Sequence, residues 1–229
     1  MELKVLGKYG PYPAKNGACS GYVLKNEDDE IVLDMGSGVL SRLYEYEDIN
    51  KVENIFVSHH HFDHTSDLLP LQYMLEDLNH NINIYTKYED SQWYKILFSH
   101  PNFNVINVDE RDEIRIGSIA LNFVRMEHLK SSLAVMIRGE KTFCYTGDTM
   151  YCPAVEKCFN SSDVILADCS KPSGFKAKHM TVDEAKKLSL EYPDKLIIAT
   201  HQSVDYDPKE ELKDYKNIIS AQENETYKF

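Results

Sequence analysis

The sequence has little of what would mark a membrane, secreted or nucleic-acid-coating protein. No apolar run approaches the ~20 residues that cross a bilayer. The opening Met1-Glu2-Leu3-Lys4-Val5 has no basic region, apolar core or cleavage site. A secretory leader is therefore not expected there, and a cytoplasmic location without membrane contact is. The five cysteines, Cys19, Cys144, Cys152, Cys158 and Cys169, are odd in number and form no C-x-x-C pair. That argues against a disulfide scaffold or a cysteine zinc knuckle and suits a reducing compartment, with small buried or half-buried thiols. Positive charge is scarce, 25 Lys and Arg against 37 Asp and Glu, for a formal net charge of −12. Phosphate contacts dominate affinity for long nucleic acids, so RNA or DNA is a disfavoured partner. A small phosphate ester stays open, because bound cations supply local positive charge. No repeat, low-complexity stretch or Pro/Ser-rich linker divides the chain, and residues 1–229 read as one domain.

What is present is a mixed order of strands and helices. Glu2–Leu6, Gly21–Leu24 and Ile31–Asp34 read as strands, and a helix is expected over Val39–Tyr46. Val52–Ser58 reads as a buried strand, and Ser66–Asn79 has helical spacing in Leu68, Leu71, Leu75 and Leu78. Ile82–Thr86 is a strand and Glu89–Phe98 a helix, with strands again from Val105 to Tyr145. The last part alternates: strand Val164–Ala167, helix Val182–Tyr192, strand Lys195–Thr200, and a terminal helix near Glu210–Ser220. Sheets inside and helices outside accommodate this α/β order.

The most informative segment is Ser58-His59-His60-His61-Phe62-Asp63-His64, an H-x-H-x-D-H pattern between a buried strand and an amphipathic helix. In an extended segment residues two apart share a side, so His59 and His61 can converge on one ion. Asp63 and His64, on the turn into the helix, can reach a second ion beside it. Imidazole and carboxylate donors suit borderline divalent metals, zinc first, with manganese or iron(II) as alternatives. His60 faces away in this reading. His80 and His100 match no pattern and are expected in solvent.

This loop resembles the signature of the metallo-β-lactamase superfamily. Four further residues resemble the rest of the family pattern: Asp34 in Leu33-Asp34-Met35-Gly36, His128 after a strand, Asp148 in Thr146-Gly147-Asp148-Thr149, and His201 after Ile197–Thr200. The resemblance implies a four-layer αββα sandwich. It also implies two metal ions, one held by His59, His61 and His128 and the other by Asp63, His64 and His201, with Asp148 bridging both. A hydroxide between the ions would then be the nucleophile, Asp63 would belong to the catalytic set, and Asp34 would orient a histidine ligand.

Within the family, Ala167-Asp168-Cys169-Ser170 and Lys178-His179-Met180-Thr181 resemble the ribonuclease Z branch. There Asp168 would orient His179, and His179 would assist the leaving group. The family carries His-Glu where this chain has Ala167-Asp168. Thr181 and Glu184 form a T-x-x-E capping box that starts the next helix. The loop from Gly7 to Pro13 resembles the same branch. Its transfer-RNA-processing members carry a long arm between the third ligand and the bridging aspartate. Here that gap holds one hairpin, Ser131–Arg138 and Lys141–Tyr145. The expectation is therefore a phosphodiesterase for a small phosphodiester or cyclic nucleotide. The alternatives are a transfer-RNA 3′-processing endoribonuclease and a lactone or thioester hydrolase. A homodimer stays open, since a second copy could bring a patch of Lys171, Lys176 and Lys178 toward the first.

Overall fold

The computed structural model describes residues 1–175 and 178–229. Lys176, one of the three lysines of the basic patch, lies outside the described residues.

Two seven-stranded mixed sheets carry the fold. The first holds β1 (Glu2–Gly7), β2 (Gly21–Asn26), β3 (Asp29–Leu33), β4 (Asn54–Phe56), β5 (Ile82–Thr86) and β6 (Phe103–Asn107) in sequence order. β1 to β3 pair antiparallel and β3 to β6 parallel. The second runs from β7 (Glu113–Ile116) through β8 (Ile119–Arg125), β9 (Leu133–Arg138), β10 (Thr142–Tyr145) and β11 (Val164–Asp168) to β12 (Leu196–Thr200). It too is antiparallel up to β10 and parallel beyond it.

The two-residue side-chain period decides the layering. On β2 and β3, Tyr22, Leu24, Ile31 and Leu33 face the other sheet, where Phe123, Val135, Ile137 and Phe143 meet them. Val23 and Val32 point the other way, onto α1 (Val39–Tyr46), α3 (Leu68–Leu78) and α4 (Gln92–Phe98). On β11 and β12 the split is the same. Leu166 and Ile198 face inward, while Ile165, Ile197 and Ala199 face α5 (Pro153–Ser161) and α6 (Val182–Glu191). Strands buried on both faces read as unbroken apolar runs, as in Val164–Ala167. The result is the αββα sandwich.

Several expectations need correction. The terminal helix is a single turn, α7 (Lys209–Leu212). Asn217 then uses its amide to hold the Ser189, Tyr192 and Lys195 carbonyls. The β-branched pair Ile218-Ile219 extends as β13 (Ile218–Ser220) beside β12, and β14 (Thr226–Lys228) crosses to pair with β1. The strand expected over Val52–Ser58 pairs only through Asn54–Phe56, because a 3-10 turn at Ile49–Lys51 precedes it. The helix expected over Ser66–Asn79 is present as α3, and a further single turn, α2 (Phe62–Thr65), lies inside the histidine loop before it. α5 is a further helix beyond those expected, with Pro153 at its start and Val155, Cys158 and Phe159 on its buried face. His80 and His100 are half-buried and tethered, to the Val52 carbonyl at 2.9 Å and to Glu76 at 3.0 Å. All five cysteines are buried and free.

Candidate metal centre

The carboxyl ends of the strands gather at one edge of the sandwich, where ligand sites of open α/β sheets form. β3 delivers Asp34, and β4 runs into the loop His59–His64. β8 runs parallel to β10, since both pair antiparallel with β9, so His128 and Asp148 arrive at the same end. β11 ends at Asp168, and β12 is followed by His201. Asp34 and His201 leave their strands at φ 60° and 57°, the left-handed region that non-glycine residues seldom occupy. Such strain gathers where the surroundings fix a functional side chain.

Two donor groups result, His59, His61, His128 and Asp148, and Asp63, His64, His201 and Asp148. In each, one atom per residue lies within 4.8 Å of all the others. In the first, His61 Nδ1 is 3.0 Å from His59 Nε2 and 3.1 Å from His128 Nε2. Asp148 Oδ2 lies 3.6 and 3.7 Å from those two Nε2 atoms. In the second, His201 Nε2 is 3.1 Å from Asp63 Oδ2 and 3.2 Å from Asp148 Oδ2, while His64 Nε2 is 3.2 Å from Asp148 Oδ1. Tetrahedral donors around zinc stand about 3.3 Å apart, so both spacings suit such an ion. The donor chemistry agrees. Ring nitrogens that meet lone pair to lone pair do not satisfy one another, and a shared cation does. His64 Nε2 and Asp148 Oδ1 are buried without a hydrogen-bond partner among the described residues.

The surrounding hydrogen bonds aim these donors. Asp34 Oδ2 accepts from His64 Nδ1 at 2.7 Å, Ser58 Oγ at 2.7 Å and Tyr145 Oη at 2.6 Å, and Oδ1 accepts from the Ser58 amide. His128 Nδ1 bonds the Lys178 carbonyl at 2.9 Å. His60 stays out of the cluster and bonds Thr86 and Glu89. Asp168 Oδ2 takes His179 Nδ1 at 2.8 Å, and the His179 ring stacks on His201 at 5.1 Å and 15°. These two also form, with His201, a third close group.

A model of the β-lactamase superfamily domain matches residues 30–202. The chain belongs to the β-lactamase superfamily. Among curated relatives, the probable metallo-hydrolase YhfI of Bacillus subtilis is 28% identical, over 88% of this chain and 86% of its own. Ribonuclease Z of Saccharolobus solfataricus is 26% identical, over 96% and 94%. The crystal structure of the Bacillus subtilis YhfI superposes with a TM-score of 0.88 at 25% identity, covering 99% of this chain and 98% of that one. The short form of human tRNase Z gives 0.78 at 18%, covering 100% and 99%, and shares the fold. As a metallo-hydrolase of this superfamily the chain carries His/Asp groups able to bind divalent metals, and none of its described helices is long and apolar enough to cross a membrane.

The electrostatics divide the two donor groups. Burial holds the His59, His61 and His128 imidazoles below their ordinary range, so they are neutral donors. Burial opposes ionisation of Asp63, but His64 and His201 outweigh it and hold its carboxyl at about 2. Burial likewise opposes the charge on Asp148, and His201, His64 and His59 together hold it well below the carboxylate range. Burial opposes the charge on His64 and His201, but Asp148 and Asp63, with Asp34 at His64, outweigh it and push both imidazoles above their ordinary range, so a cation seated there would compete with protons.

Ser58, Tyr145 and Gly10 support the site without belonging to its ligand motif. Tyr145 was legible as the last residue of β10, three before Asp148. Gly10 packs its backbone on the His201 ring, where a Cβ would overlap the imidazole. No local pattern announces that contact.

Proposed function

We propose that the protein is a metal-dependent phosphodiesterase for a small phosphodiester, working with two divalent ions, zinc first. His59, His61 and His128 would hold one ion, Asp63, His64 and His201 the other, and Asp148 both. The carrying observation is the Asp168–His179 pair, an imidazole outside both ion groups yet stacked against His201. Two cations there would acidify a water and neutralise charge building on phosphoryl oxygens.

The chain's own residues supply the rest. Asp168 is itself fixed by the Thr149 and Ser170 amides at 3.1 Å. It accepts from His179 Nδ1–H, so that a His179 imidazolium, protonated from solvent, would give its Nε2 proton to a departing alkoxide and remain a neutral ring hydrogen-bonded to Asp168. An alkoxide expelled from a phosphodiester needs that proton. The cleft, lined by Pro11, Phe62, Lys171 and the polar residues of the site, holds about 320 Å³, at the small end of ligand sites. The short β9–β10 connection and the −12 charge favour a small substrate. Ribonuclease Z and a diphosphatase of the PhnP family, the latter at TM-score 0.76 and 17% identity, carry names of phosphate chemistry.

One observation favours an endoribonuclease as second reading. Arg125, Lys130 and Lys178 line the surface beside His128, a local cationic strip on an acidic protein. The deciding comparison is kcat/KM for a cyclic nucleotide and for a precursor transfer RNA at equal salt. The small substrate is expected to win. An RNA preference that fades steeply as salt rises would reverse the assignment. His179→Ala is expected to keep both ions and lower turnover by about a hundredfold. Unchanged turnover would remove His179 from the mechanism.

A further inference from the structure

Phe62 stands between two candidate ligands, His61 and Asp63, and is 64% exposed. An apolar ring left in water forgoes the stabilisation that burial gives, as it does at Tyr94 and Leu97 of α4. Its aromatic partner is Trp93, which meets it edge-on with ring centroids 4.6 Å apart. Trp93 is half-buried against the outer core of the first sheet. The indole thus props the phenyl ring from the protein side. A residue that merely stapled the loop to α4 would be buried there. Phe62 instead lines the cleft, together with Asp63, Asp148, His179, His201 and Lys171. An apolar aromatic wall beside cation-binding groups and a lysine fits a ligand that is planar at one end and anionic at the other.

We propose that Phe62, propped by Trp93, stacks a planar nucleobase-like ring carried next to the scissile phosphate, so that the preferred substrate is a base-bearing small phosphodiester. This rests on the phosphodiesterase reading above. Every nucleobase has a π face that stacks on an aromatic side chain without regard to base identity. Phe62 is therefore a specificity-determining residue that selects for a planar ring, not for one base.

The test compares two strained five-membered cyclic diesters, a 2′,3′-cyclic mononucleotide and 1,2-cyclic glycerol phosphate, on the metal-loaded full chain. The wild type is expected to favour the base-bearing one by about tenfold or more in kcat/KM. In Phe62→Ala, checked for retained metal, the ratio is expected to fall close to one, and Phe62→Trp to restore most of it. No preference in the wild type, or an equal loss on both substrates in Phe62→Ala, overturns the proposal. A second readout does not need turnover. Trp93 is the single tryptophan, so its fluorescence reports on the wall. A nucleoside 5′-monophosphate is expected to change it saturably and ribose 5-phosphate is not, with the midpoint at least about tenfold weaker in Phe62→Ala. If neither diester is cut but this response holds, the ring subsite stands and the phosphodiesterase reading falls. If the diesters are cut and the two ligands act alike on Trp93, the ring subsite falls and the phosphodiesterase reading stands.

Discussion

His64 and His201 stack face to face across the centre, rings 5.2 Å apart and 16° from parallel, yet they are held in different ways. His64 is aimed by a charged hydrogen bond, Nδ1 to Asp34 at 2.7 Å. It lies in a loop where four candidate donors fall within six residues. His201 is alone after its strand, and its Nδ1 is buried without a partner among the described residues. Its Nε2 bonds Asp63 at 3.1 Å, but that is the atom an ion would take, so what aims the ring from outside the donor set is Gly10, packed against its Nε2 edge. A ring oriented by a hydrogen bond is sensitive to a change of charge and tolerant of a change of shape. A ring oriented by packing has the reverse sensitivities.

The largest expected effect ignores that difference. Asp148 touches both donor groups, so Asp148→Ala is expected to lose both ions and with them essentially all hydrolytic activity. Elemental analysis of protein purified without chelator checks this. Retention of two ions per chain would mean that Asp148 is not the shared ligand.

Gly10→Ala is expected to strike the His201 side alone. The glycine's φ lies outside the left-handed region, and the atoms nearest an added Cβ all belong to the His201 ring. Its amide is tied to the Gln202 carbonyl at 3.1 Å, so neither segment can retreat freely. Overpacking of this kind costs about 1–3 kcal/mol. If the imidazole yields, affinity for the second ion is expected to fall by about a hundredfold, the upper range for a disturbed ligand support. Chelator competition measures both sites. Equal weakening of the two would show that packing at Gly10 does not act through His201.

The same contrast explains what the sequence made legible. The helix Val39–Tyr46 and the strand Ile82–Thr86 match their expected bounds, because apolar spacing and turn residues mark both ends. The capping box at Thr181 and Glu184 formed as read and sets His179 two residues before the helix cap. The histidine loop was legible because its donors are contiguous. His128, Asp148 and His201 are single residues at separate strand ends and could be picked out only through family resemblance. The supports were mostly invisible. Tyr145 reaches Asp34 across 111 positions of sequence, and Gly10 meets His201 only because the loop after β1 pairs with the residues that follow β12. The left-handed backbones at Asp34 and His201 run against local preference, so no propensity argument finds them. The terminal segment failed for another reason. Glu210–Ser220 has helix-favouring residues at its start, and sheet pairing with β12 overrides them at its end.

Asp34→Asn isolates the hydrogen-bonded side, with the smallest expected effect. The amide copies the carboxylate's shape, and its oxygen can still accept from the Ser58 amide. Its NH2 group replaces an oxygen that accepts from Ser58 Oγ, Tyr145 Oη and His64 Nδ1. The two hydroxyls can rotate and accept instead. His64 cannot adapt without a change of tautomer. To accept at Nδ1 it must carry its proton on Nε2, the atom that faces Asp148. The second ion is then expected to bind about ten- to a hundredfold more weakly. The first should shift by less than the second, since of its histidines His59 alone is linked to Asp34, indirectly, through Ser58 Oγ at 3.1 Å from its Nδ1. Stability should fall by about 1–3 kcal/mol, the cost of weakened buried hydrogen bonds, measurable by urea unfolding without metal. A second-ion affinity equal to that of the wild type would show that packing alone can aim His64, and the contrast between the two rings would then be wrong.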